Sequence, residues 1–152
     1  MKRILSATCA ALFCALAIMP AIAKTTNPVT QVSAWTGTWN CGSGKNRNTE
    51  TFVPMLNGKG MHVTVTGPFA SEGVATFDSH SNAWFYTFVN ADGTYATFWG
   101  PVSGPTIAFK QVFPAGNGKD AIRQISPTKY SSVYTVVVNH RPVTSSEICT
   151  KS

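Results

Sequence analysis

The sequence predicts an all-β protein, a closed antiparallel up-and-down barrel of about ten strands, and three observations carry that prediction. Short segments rich in β-branched and aromatic residues recur along the chain, turn-forming residues punctuate them regularly, and no stretch keeps a convincing 3.6-residue amphipathic period. A meander of ten strands leaves two raw edges, and closure removes both by pairing the first strand with the last. With an even number of strands that pairing is antiparallel.

The chain of 152 residues opens with a stretch of a different kind. Met1 to Ala23 has Lys2 and Arg3 at its head, an apolar run from Ile4 to Met19, and the small-residue ending Pro20-Ala21-Ile22-Ala23, the pattern of a secretory signal peptide. The apolar run is about 16 residues, short of the ~20 that span a bilayer, so no membrane anchor is expected. Cys9 and Cys14 lie within it without the small-residue box of a lipoprotein. The mature protein is expected to be soluble, periplasmic or secreted, and to begin near Lys24. Residues 24–35 form an N-terminal segment in which "NPVTQVSAW" (27–35) can make one helical turn against the barrel end, and residues 36–152 form the barrel.

The strands follow in order. "GTWNC" (37–41) is the first, and "TETFVPML" (49–56) precedes the turn pair Asn57-Gly58. Next come "MHVTVTG" (61–67), ending at Gly67-Pro68, and "GVATFD" (73–78), ending in the polar turn Asp78 to Asn82. "AWFYTFVN" (83–90) and "TYATFWG" (94–100) are joined across Asp92-Gly93. Then follow "TIAFKQVF" (106–113), "AIRQIS" (121–126), "SSVYTVVVN" (131–139) and "TSSEICTK" (144–151), with Gly116-Asn117-Gly118 and Ser126-Pro127 among their breaks. Length and turn spacing together give one domain, large enough to bury a core and too short for two.

Charge excludes one class of partner. The sequence holds 12 Lys plus Arg against 6 Asp plus Glu, and loss of Lys2 and Arg3 leaves 10 against 6, a net charge of +4. The basic residues are scattered singly from Lys45 to Lys151, so no nucleic acid is expected as a partner. Only Cys41 and Cys149 remain after processing. Pairing is favoured over a metal site or a reactive thiol, because His62, His80 and His140 are isolated from one another and from both cysteines in sequence. If Cys41 faces Cys149 across the seam, Trp39 faces Lys151 and Asn40 faces Thr150, and the disulfide shares a face with the Trp39 and Lys151 pair.

Gly37-Thr38-Trp39 in the first strand of a small secreted meander resembles the G-x-W signature of the calycin superfamily, which includes lipocalins, fatty-acid-binding proteins, avidins and nitrobindin-like barrels. The opening "GTW-x-C", the middle "AWFYTFVNADGTY" after Phe77-Asp78, and the C-terminal cysteine are most similar to secreted bacterial barrels of the nitrobindin-like kind. The resemblance implies that Trp39 plugs one barrel end with Lys151 lying across it, making Gly37, Trp39 and Lys151 a structural signature. It also raises haem held by a histidine on the final strand. That strand has none here, and His140 stands before Pro142 in the preceding turn, so no haem and no other cofactor is expected.

The remaining chemistry is sparse. No G-x-S-x-G elbow, H-E-x-x-H, phosphate-cradling glycine loop or paired-carboxylate motif is present, so no catalytic residues and no metal ligands are assigned. Glu50 and Glu72 read as charges flanking strands, Asp92 as a turn residue, and His62 as pointing to solvent if Met61, Val63 and Val65 point in. Aromatic faces are more informative: Trp84, Tyr86 and Phe88; Tyr95, Thr97 and Trp99; Ile107, Phe109, Gln111 and Phe113. From them a ligand-binding lining of Trp84, Tyr86, Tyr95, Trp99, Phe109 and Gln111 is expected, large rings with sparse polar groups. Phe85, Val89 and Phe98 oppose these faces, which leaves open which side points inward. The expected function is non-catalytic binding of a small hydrophobic or amphipathic ligand. The alternatives are an envelope or extracellular protein-interaction module and, third, an enzyme acting on a small hydrophobic substrate.

Overall fold

The computed structural model describes residues 27–138 and 141–152, so the expected signal peptide and His140 lie outside the described residues. Ten strands close into one antiparallel barrel in up-and-down order. They are β1 (Gly37–Cys41), β2 (Asn48–Met55), β3 (Gly60–Thr66), β4 (Ser71–Asp78), β5 (Ala83–Asn90), β6 (Tyr95–Ser103), β7 (Thr106–Phe113), β8 (Lys119–Ser126), β9 (Lys129–Val138) and β10 (Arg141–Lys151). Each pairs with its sequence neighbours, and β1 closes on β10.

The seam has the expected register, with Trp39 opposite Lys151, Asn40 opposite Thr150 and Cys41 opposite Cys149. The two cysteines form a disulfide across it. Trp39 is fully buried, and the Lys151 ammonium sits 5.2 Å from the centre of its ring, a cation–π contact. Gly37 makes room for it, because a Cβ there would stand 2.8 Å from Lys151 Cε.

The N-terminal segment covers the barrel end where β1 begins and β10 ends. A 3-10 turn, Pro28–Thr30, leads into the single helical turn α1 (Val32–Trp35). Buried indole N–H groups need acceptors, and this segment's backbone provides them. The Val29 carbonyl accepts from Trp84 Nε1 at 2.8 Å and from Trp35 Nε1 at 3.2 Å, while the Trp35 carbonyl accepts from Trp39 Nε1 at 2.7 Å. Asn27 ties the segment to the turn between β6 and β7 by donating to the Gly104 carbonyl at 2.5 Å.

One face assignment is corrected. Trp84, Tyr86 and Phe88 of β5 point inward, as do Ile107 and Phe109 of β7, but on β6 the inward residues are Ala96, Phe98 and Gly100. Tyr95 is half exposed, and Trp99 lies outside under Lys110, whose Nζ is 4.8 Å from its ring centre. A two-residue turn at Asp92-Gly93 would have put Tyr95, Thr97 and Trp99 inside. The hairpin instead pairs Val89 with Tyr95, with four residues, 91–94, between the strands, and the faces of β6 exchange. Packing agrees with that exchange, because a Cβ at Gly100 would meet the Phe109 ring at 2.5 Å and the Ile107 side chain at 2.7 Å. A tryptophan has no room on that face.

Candidate functional site

Inward side chains leave a cavity of about 140 Å³ between the plugged end and the middle of the barrel. Phe52, Met61, Val63, Phe88, Phe98 and Ile107 supply much of its apolar wall, with Trp35 and Trp84 on the plug side. Toward the other end the interior widens into a vestibule of about 1200 Å³, bordered by loop residues such as Gly67, Phe69 and Ala91. Eight residues line both spaces, among them Glu50, Asp120 and Glu147, so the carboxylates stand where the narrow chamber meets the wide one.

Register explains how these acids come inside. Glu50 is the β2 partner of Trp39, and Trp39 points into the barrel, so Glu50 does too. Glu147 precedes the buried Cys149 by two residues on β10, which gives both the same face. Asp120 alternates with Ile122 on β8 and pairs with the inward Phe109. Between them stands β9, whose Tyr130 hydroxyl donates to Glu50 Oε2 at 2.5 Å and whose Ser132 hydroxyl donates to Asp120 Oδ1 at 2.8 Å. Tyr130 is itself buried against Trp39 and Trp35, at ring separations of 5.0 and 5.5 Å.

Enclosure acts on every ionisable group of this cluster. Burial pushes the Glu50 carboxyl up to about 7, against the Tyr130 hydrogen bond that favours its charged form, and the charges of Glu147 and Asp120 push the same way as burial. Burial likewise raises Asp120 to about 6 and Glu147 above the ordinary range. The Tyr130 and Tyr86 phenols are raised too, first by burial and then by the negative charge of Glu50, so both remain neutral donors. Carboxylate oxygens of Glu50 and Glu147 and the sulfurs of Cys41 and Cys149 all lie within 4.8 Å of one another. The sulfurs are spent in the disulfide and offer no thiolate, so the chemistry of the place rests on oxygen.

Of the residues expected to line a ligand site, Trp84, Tyr86 and Phe109 border the cavity. Tyr95 and Trp99 stand on the outer wall for the reason given by the hairpin. Gln111 is half-buried at the far end of β7, where its amide donates to the Pro114 carbonyl at 2.9 Å and packs against Gly116 and Gly118, holding the loop before β8. Glu50, read as a strand-flanking charge, is instead an inward group in the body of β2. Its spacing from Phe52, two residues along the same strand, was the available signal. Asp120, Glu147, Tyr130 and Ser132 were not anticipated; only the seam register, extended to the neighbouring strands, points to them.

His62 faces outward, where its Nε2 meets Glu72 Oε1 at 2.8 Å. His80 belongs to the turn after β4, its backbone N–H donating to Asp78 Oδ1 at 2.9 Å. No helix among the described residues is long and apolar enough to cross a membrane. No protein-family model and no curated protein matches the chain.

Proposed function

We propose that this protein is an exported, non-catalytic barrel that holds a small hydrophobic or amphipathic molecule inside, in the manner of the calycin barrels its first strand resembles. The single observation that carries this reading is the chamber of about 140 Å³ with a largely apolar wall, covered at one end and continuous with a wider vestibule at the other. A dry apolar cavity of about 150 Å³ accepts one benzene-sized ring, which sets the scale of the part that enters deepest. A site of this kind combines a hydrophobic body with a few convergent polar groups. Export, to a periplasmic or extracellular setting, is supported by the Cys41–Cys149 disulfide and by the composition of the first 23 residues.

A second reading, docking of a protein partner, is favoured by one observation on the outer wall. Val89 and Tyr95 are paired and exposed, and the exposed Phe113 ring lies 5.9 Å from that of Tyr95. Native mass spectrometry of gently purified mature protein separates the two. A retained small molecule, lost when Ala75→Trp fills the chamber, supports the ligand reading. A stable heteromer carrying no small molecule, and unaffected by that substitution, would replace it with the second.

A further inference from the structure

The protein has six acidic residues, and their distribution is lopsided. Glu72 pairs with His62, while Asp78 and Asp92 accept hydrogen bonds within their own turns. The other three, Glu50, Asp120 and Glu147, all line the interior. Among the described residues no Lys, Arg or His lines either the chamber or the vestibule, although basic residues outnumber acidic ones two to one in the full sequence. Among the described residues the only side-chain ion pair is His62 with Glu72. Among the described residues the interior is therefore a concentration of negative charge inside a basic protein, with no basic side chain beside it.

Packing does not account for this. A buried carboxylate without a positive partner is costly, and an apolar residue of similar size would stabilise the same wall. Nor are the acids fully used by their neighbours. Glu50 gives one oxygen to the Tyr130 hydroxyl, and its other oxygen, which no described residue bonds, opens onto the cavity. Glu147 receives none at either oxygen from the described residues. The donors that do reach the acids are neutral, the Tyr130 and Ser132 hydroxyls and the Val133 backbone N–H, which orient carboxylates without neutralising them.

We infer that the ligand of this cavity is an amphipathic organic cation, its ring or short apolar body in the narrow chamber and its protonated amine among Glu50, Asp120 and Glu147. This deepens the ligand-binding reading and rests on it. The apolar wall sets the body and the carboxylates set the head: an ammonium supplies the charge and the donors that the acids lack, a neutral polar head supplies donors alone, and an anionic head is repelled. Position matters as well, because the three acids line both the chamber and the vestibule, so a head group at their junction can reach them while its apolar body enters the chamber.

The test uses the mature protein and three ligands of one shape, 2-phenylethylamine, 2-phenylethanol and phenylacetate, titrated at pH 8 and followed by tryptophan fluorescence and calorimetry. The expected order is amine tightest by at least about 10-fold, alcohol next, acid weakest, with the gap between amine and alcohol shrinking as salt is raised. Glu50→Gln and, separately, Asp120→Asn should each cut the ratio of amine to alcohol affinity at least about 3-fold; both keep the acceptor that Tyr130 or Ser132 uses. Equal binding of amine and alcohol in the unaltered protein, or an advantage for phenylacetate, overturns the cationic head and leaves the ligand-binding reading standing. Failure of all three to bind at millimolar concentration overturns both.

Discussion

Glu50 shows what a single side chain inside a barrel does to the whole. Its carboxyl titrates at about 7 in the folded protein, where burial disfavours the charge, against 4.5 when exposed. The folded state therefore holds more protons than the unfolded one in that interval, and stability falls as pH rises. The contribution is fully present below about pH 4.5 and is lost as pH climbs through about 7; Asp120, raised from 3.8 to about 6, acts in the same direction. Asp78 and Asp92, held low by their own turn hydrogen bonds, act oppositely but only below 3.8. The ligand-free protein should thus show a melting temperature that declines between pH 4.5 and 7.5. Glu50→Gln should flatten the decline and raise stability at pH 7.5, by an amount on the order of 3 kcal/mol for a carboxyl moved from 4.5 to about 7. Parallel pH profiles for the two proteins would refute the assignment. This residue was hard to read in sequence because a glutamate near a strand's start looks like solvated charge; its spacing from Phe52 hints at the inward face, and its pairing with Trp39 fixes it there.

At the scale of strands, the sequence was legible where turns were unambiguous. Alternation and turn residues located all ten strands to within a few positions, and the two cysteines pinned the seam register to the residue. Where a loop could take two lengths, the reading failed. Asp92-Gly93 invites a two-residue hairpin, and the longer connection moved Tyr95 and Trp99 outside while bringing Phe98 in. Beyond Thr97 a register shift against β7 adds a second break, after which Phe113 lies exposed rather than inward. The seam itself makes a quantitative expectation possible. The bridge spans a sequence separation of 108 residues, and chain-entropy arguments give a loop of that size roughly 4 to 5 kcal/mol. Cys41→Ser with Cys149→Ser should lower the unfolding free energy read from urea titration by an amount of that order, less whatever structure the unfolded chain retains, with a lower midpoint, while the far-ultraviolet β signature persists in water. An unchanged midpoint would mean that strand pairing alone holds β1 to β10.

Across the whole molecule, each barrel end has its own task. One is sealed by backbone carbonyls that take up three indole N–H groups, and the other opens through loops onto the acids. That division was half readable: a helical turn within 27–35, found at Val32–Trp35, comes from local sequence and the plugging tryptophan from the resemblance of the first strand, whereas the three acids come from three strands, β2, β8 and β10, that only the closed barrel brings together. The seam also has a mechanical consequence. Because Cys41 and Cys149 lie near opposite ends of the described chain, tension applied to the two termini runs through the bridge and bypasses the strands between them. Pulled in an optical trap, the oxidised protein should lengthen only by the short segments outside the bridge. After reduction the same force should release the 108-residue loop, an added contour of roughly 350 to 390 Å at 3.3–3.6 Å per residue. The barrel is thus shielded from tensile load, and a thiol reductant acts as the release catch.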